Sequence, residues 1–224
     1  MKRNIFLTSL ILLFAVRVFS QTIGHPNYGL KSHETLEIQS IELSTSSTTF
    51  FMEIENRSLD GTFCADKNIF IVLPDGKRFK IKSTQGIPRC PDAYVFRSFG
   101  EKLNFSLTFP PLPDSVKWFD LIEDCNDACF SFNAVILDPL LNQKIDHAYA
   151  VAELGETEAS IKEFEDLLSD FAGRNCSYEG AVYWNLITLS RKLGQKEKAD
   201  EWLNKLINSD ISLKEKYIEN LETF

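Results

Sequence analysis

Residues 102–109 read KLNFSLTF, with Leu103, Phe105, Leu107 and Phe109 on one side and polar residues on the other. Alternation of this kind marks a half-buried β-strand, because successive side chains leave a pleated strand on opposite faces. The run stops at Pro110-Pro111-Leu112-Pro113, since proline has no N–H to give to a ladder. Around it, the stretch 61–137 holds four of the five cysteines and is rich in phenylalanine.

Upstream, residues 35–43 (TLEIQSIEL) and 48–56 (TTFFMEIEN) alternate in the same way. In the first, the apolar phase changes between Ile38 and Ile41, which predicts a bulge or a bend. Residues 67–73 and 77–82 flank Pro74-Asp75-Gly76, and Asp-Gly takes the positive φ that a tight hairpin needs. Residues 116–123 and 130–137 bring the set to about seven strands, as in an antiparallel β-sandwich of immunoglobulin-like type. The polar stretch 21–34, with Gly24, Pro26 and Gly29, reads as a lead-in to this domain, which spans 35–139.

In the second hairpin arm, Arg78, Lys80 and Lys82 point one way and Phe79 and Ile81 the other. A basic stripe can take an anionic ligand; a solvated sheet face is the plainer reading. Trp118 and Phe130 raise the alternative of a sugar-stacking platform, against the plainer reading that aromatic side chains on strands fill the core.

The cysteines are Cys64, Cys90, Cys125, Cys129 and Cys176. The chain has no Cys-x-x-Cys, so a thioredoxin-like motif is missing. The one close pair, Cys125 and Cys129, lacks zinc-knuckle spacing, and His25, His33 and His147 lie far apart in sequence. Structural disulfides follow. Several pairings are open, and the favoured set is Cys64–Cys90 with Cys125–Cys129. Closing the 64–90 loop would stabilise by about 3.5 kcal/mol in the chain-entropy model. On an extended strand Cys125 and Cys129 would sit roughly 13 Å apart, so a turn at Asn126-Asp127 must bring them together. Asp120, Glu123, Asp124 and Asp127 raise calcium, but the glycine-containing EF-hand loop is missing. Cys176 is left as a free and dispensable thiol. No cofactor and no metal is expected.

Residues 1–20 read as an export signal. Lys2 and Arg3 precede an apolar run over 5–16, and small residues near Ser20 allow cleavage before Gln21. The run falls short of the ~20 residues of a membrane-spanning helix, and no cysteine stands at the cleavage point to carry a lipid. No membrane span is expected after processing. Removal takes Lys2, Arg3 and Arg17 and no acid, so the net charge moves from −8 to −11. Residues 21–139 carry 16 acids and 11 bases, and residues 140–224 carry 16 and 10. Acidity in both parts disfavours nucleic acid, which needs a basic footprint.

Phe63-Cys-Ala-Asp-Lys-Asn68, Gly86-Ile-Pro-Arg-Cys-Pro91, Ser98-Phe-Gly-Glu-Lys102, Phe109-Pro-Pro111 and Asp120-Leu-Ile-Glu-Asp124 together form a recognisable set. The set resembles a recurring arrangement in uncharacterised exported proteins of Bacteroidetes, over residues 35–137. The resemblance implies a small β-sandwich and a periplasmic or cell-surface location. It brings no active site.

From 143 onward the apolar period changes from two to three and four. Ile161, Phe164, Leu167, Leu168 and Phe171 line one helical face; Leu186, Ile187, Ser190 and Leu193 line another. Ala199, Trp202, Leu203, Leu206 and Ile207 follow. Ser212 with Glu215 three residues on reads as the capping box of a last helix. Leu154-Gly155 with Ser160 and Leu193-Gly194 with Ala199 repeat one spacing. Together with Tyr183 and Leu186 this resembles tetratricopeptide repeats over 140–224. The glycines stand 39 residues apart, Tyr183 replaces the pattern's Trp, and its closing Pro is missing. A plain helix bundle is the alternative. A helical unit this short is expected to dock on the β part or on a partner.

The chain contains no Gly-x-Ser-x-Gly, no His-Glu-x-x-His and no phosphate loop. An enzyme is therefore not the expectation. The leading reading is an exported cell-envelope binding or scaffolding protein with a protein partner, held in the concave face of its helical repeats. A non-catalytic glycan-binding module is the alternative, and an enzyme of unrecognised class a lesser one. Mass spectrometry of the native protein should find an N-terminus within a few residues of Gln21; a retained Met1 would refute cleavage.

Overall fold

A computed structural model describes residues 20–126, 128–171, 174 and 176–222; all but the last residue of the segment 1–20 read as an export signal, and Asp127 of the acids weighed for calcium, lie outside the described residues. The strands in chain order are β1 (Gln21–Gly24), β2 (Leu30–Lys31), β3 (Leu36–Leu43), β4 (Thr48–Glu55), β5 (Thr62–Phe63) and β6 (Ile69–Val72). They continue with β7 (Arg78–Lys80), β8 (Ser83–Gln85), β9 (Tyr94–Val95), β10 (Lys102–Phe109), β11 (Trp118–Glu123) and β12 (Ser131–Ile136). Five helices follow: α1 (Pro139–Glu153), α2 (Thr157–Phe171), α3 (Tyr178–Lys192), α4 (Lys196–Ile207) and α5 (Lys214–Glu222). The chain is a mixed α+β protein, with antiparallel sheets first and helices after.

One sheet runs β1-β3-β4-β10-β8 and the other β2-β12-β11-β6-β7, with a small β5-β9 pair beside them. The alternating strands turn one apolar row inward from each sheet. Phe50, Met52, Phe105, Leu107 and Phe109 meet Ile69, Ile71, Phe119, Leu121 and Phe132 in one core. Phe50 touches Phe109 beside it and Phe119 across the gap, with ring centroids 5.4 and 5.6 Å apart and edge-on geometry, the arrangement that ring quadrupoles favour. The phase change in β3 is a register shift between Ile38 and Ser40.

Two disulfides pin the β part: Cys64–Cys90, with Cα atoms 5.3 Å apart, and Cys125–Cys129, 5.6 Å apart. They place the chain in an oxidising, extracellular type of environment.

The segment read as a lead-in carries two short strands. Residues 21–24 pair with β3, and residues 30–31 pair with β12 in the other sheet. Only Ile23 is buried in β1, so alternation is too weak to announce these strands; unpaired sheet edges recruit them.

Helices α1 to α4 pack as consecutive neighbours and α5 returns against α3. Asp138 caps α1 by accepting from the N–H groups of Leu140 and Leu141. Both tight helix turns use a glycine with positive φ, Gly155 at 82° and Gly194 at 71°, where a β-carbon would be strained. Their hydrogen bonds also match: Glu156 N–H reaches Val151 O, and Gln195 N–H reaches Ser190 O. Ser160 is fully buried and donates to Ala148 O at 3.0 Å, which ties α2 to α1. The last helix starts at Lys214, after Leu213 at φ 62°. Ser212 therefore stands outside the N-cap position, and the expected capping box does not form. No helix among the described residues is long and apolar enough to cross a membrane.

Cys176 is a free thiol, but it is fully buried in the helical core, which corrects its reading as dispensable. Cys64→Ser should lower stability by about 2–5 kcal/mol through loss of the staple. Cys176→Ser should cost about 1–3 kcal/mol by placing a hydroxyl in an apolar site. Denaturant melts of both variants check this, and a wild-type midpoint for either would refute its part.

Candidate binding surfaces

Strand β12 meets two cores. Phe132 and Val135 face the sandwich, while Ala134 and Ile136 face the helices together with Leu30 and Trp118. The helices thus dock on the outer face of the second sheet. Asn27 closes the seam. Its N–H donates to Asn142 Oδ1 at 2.8 Å, its amide donates to Asp146 Oδ1 at 2.8 Å, and its carbonyl accepts from Ile136 N–H at 2.8 Å. Asn142 in turn donates to Ile136 O at 2.9 Å. Strap, strand and helix are joined in one closed set.

Tyr217 of α5 lies against Gly29 and Gly180, where a β-carbon would overlap its hydroxyl and its ring respectively, and donates to Ser177 O at 2.9 Å. Asn185 donates to Tyr149 Oη at 2.9 Å and to Ala181 O. Burial pushes the Tyr149, Tyr178 and Tyr217 phenols up from their ordinary value, and the Cys176 thiol up to about 12. All four are neutral at physiological pH. This side of α1 and α3 is therefore covered by residues 27–30, β12 and α5. A cleft of about 150 Å³ is left there, between Leu30, Tyr149, Trp184 and Asn220.

The buried carboxyls serve the backbone. The register shift between Phe119 and Leu121 leaves Ala134 at φ 52°, and Asp120 Oδ1 accepts its N–H at 2.7 Å. Glu123 accepts from Asp66 N–H at 2.7 Å and Phe130 N–H at 3.2 Å. Asp124 pairs with Arg78 at 3.6 Å. These acids point apart, and among the described residues no group of three or more His, Cys, Asp or Glu converges as a metal site. Trp118 and Phe130 do not form a platform: Trp118 packs toward the helices, and Phe130 is 1% exposed in the sandwich core. His33 stacks edge-on to Phe63, and His147 lies 4.0 Å from Glu163.

Other parts of the surface stay open. At one end of the sandwich, buried Asn56 donates to Ser58 O and Ser98 O, both at 2.8 Å, and takes the Gly100 N–H on its carbonyl. That frame holds two loops together and presents Leu59, Val95 and Phe99, which are 85, 64 and 65% exposed. Elsewhere, a cleft of about 690 Å³ opens between Gln21, Leu43, Pro111, Val116, Lys117 and Pro139. Asn27, Asn56 and Asn142 carry no local signal, because their roles depend on partners up to 119 residues away.

No family model, curated protein or solved structure matches the chain.

Burial holds the Asp120 and Glu123 carboxyls above their ordinary range. Each binds protons more tightly folded than unfolded, so its contribution is full below the unfolded pKa and is lost as pH rises through the folded one. Asn at 120 keeps an oxygen for the Ala134 N–H. In urea melts, the stability of Asp120→Asn relative to wild type should therefore improve as pH rises from about 4 toward neutrality. A difference flat in pH would refute it.

Proposed function

We propose that the protein is an exported cell-envelope binding or scaffolding protein that acts through protein–protein contact. The observation that carries this reading is the rigid join of a disulfide-pinned sandwich to two like-built helical hairpins through β12, with apolar side chains left on the outside. Such a frame holds surfaces in fixed relation, which is what a docking protein needs. The Asp120 and Glu123 carboxyls are engaged by backbone N–H groups, which favours structural over catalytic roles for them.

The strand order supports the immunoglobulin-like assignment. Strands β3, β4, β10 and β8 follow the order A-B-E-D, and β12, β11, β6 and β7 follow G-F-C-C′. The matched turns at Gly155 and Gly194 and the buried Ser160 and Ala199 support a tetratricopeptide-like reading of the helices. With the inner helical face covered by the chain itself, partner contact falls to outer surfaces. The resemblance to exported Bacteroidetes proteins and the two disulfides support a periplasmic or surface location.

Leu154, in the turn after α1, and Ile207, at the end of α4, are exposed. Capture from an envelope fraction, followed by mixing the pure protein with the pure candidate, should give a complex of defined stoichiometry by light scattering. Leu154→Asp with Ile207→Asp tests whether that complex uses the outer helical surface, with melting unchanged. If no captured protein re-forms a complex when both are pure, the reading fails.

A further inference from the structure

Among the described residues the second sheet ends at β7, with a strand on one side only. Leu73 N–H donates to Lys77 O and Ile81 N–H donates to Ile69 O, with Ile71 opposite Phe79. Residues 77, 79 and 81 therefore turn their backbone groups toward β6. Arg78 and Lys80 turn theirs outward, because the hydrogen-bonding direction alternates along an antiparallel strand. The helices leave this edge open, since they pack on the opposite side of the sheet, at Leu30, Trp118, Ala134 and Ile136.

Charge is concentrated in the hairpin that forms this edge. In a chain of net charge −8, residues 67–82 carry Lys67, Lys77, Arg78, Lys80 and Lys82 against one acid, Asp75. All five cations are exposed. Among the described residues their one ion pair is Arg78 with Asp124 at 3.6 Å, an exposed contact; Lys80 donates to Asn68. Aromatic rings hold the cations near the strand: Arg78 lies 3.9 Å and Lys80 5.7 Å from the Phe70 centroid, and Lys77 lies 4.9 Å from that of Phe79.

We propose that the free edge of β7 binds an extended acidic segment of a partner protein, added to the sheet as one more strand. This rests on the protein-binding reading above and names the chemistry of the partner. Side chains two apart on a strand repeat every ~7 Å on one face, so acids at alternate positions would meet Arg78 and Lys80. An apolar residue between them would lie by Phe79, on the other face. Lysine on a sheet edge ordinarily wards off stray strands; toward an acidic strand the same charges attract and set register. The outward N–H and C=O groups of residues 78 and 80 favour a peptide over an anionic glycan, which has no ladder to offer them.

The probe is a dye-labelled ten-residue peptide alternating Glu and Val, followed by fluorescence anisotropy with the full chain. Three competitors accompany it: the same residues with the acids in one block, the alternating peptide with a central proline, and a heparin fragment. The alternating peptide should bind wild type, and the proline peptide should compete poorly. Binding should fall at least about tenfold in Arg78→Glu with Lys80→Glu, and less in the milder Arg78→Gln with Lys80→Gln. Both pairs of positions are exposed, and unchanged melting certifies the fold. No binding to wild type overturns the proposal; so does equal competition by the blocked peptide, the proline peptide or heparin, which would mark charge attraction alone. An envelope partner that still forms its complex with the charge-reversed variant would overturn the edge assignment and leave the protein-binding reading standing. Failure of any complex to re-form from pure components would remove that reading itself.

Discussion

Strand β12 has no face in water, and most of the architecture follows from that. Its five residues from Phe132 to Ile136 are all buried, some against the sandwich and some against the helices. A strand of an antiparallel sandwich ordinarily keeps one polar face. Here Ala134 and Ile136 on that face need a cover, and the helical core supplies it. Removing the helices would expose Ile136, Leu30 and Trp118 to solvent, so the two parts are better described as one body with two cores than as separable modules.

The strap of residues 21–31 does for backbone groups what the helices do for side chains. It pairs with the outer edge of β3 and then crosses to the outer edge of β12, so two of the four long-sheet edges are closed by the chain's own start. Asn27, at the crossing, spends its side chain on α1 and its carbonyl on β12. Tyr28 and Lys31 both bond Glu37 on β3. Of the remaining edges, β8 is three residues long and β7 is armed with cations. The surface is thus uneven in kind: acidic over most of the chain, apolar at the Asn56-braced loops, basic along one strand.

Much of this was legible in the residues themselves. Alternation at 102–109 located β10 to the residue, and the apolar phase change in 35–43 located the β3 bulge. Asp75-Gly76 marked the β6–β7 hairpin, with Gly76 at φ 83°. The spacing of Gly155 to Ser160 and of Gly194 to Ala199 marked two helical turns. Each of these signals is local, because pleat, turn and helix period act over a few residues and leave their period in the sequence. Oxidising conditions and the acidic charge also belong to composition and need no fold.

What only the tertiary structure decided depends on distance in space. Trp118 and Phe130 are similar letters in neighbouring strands, yet one faces the helices and the other the sandwich. Asp120 and Glu123 suggested a cation site, but each meets a backbone N–H left unpaired by a bulge or loop. Cys176 reads as a spare thiol until the helices close over it. The side of α1 and α3 turned toward the sheet is closed by the strap and α5, which no local pattern announces. The sequence determined which elements exist and which of their faces are apolar. Which face meets which was decided by packing, because burial rewards any apolar partner alike and the choice among partners lies in shape and in long-range hydrogen bonds that carry no local signature.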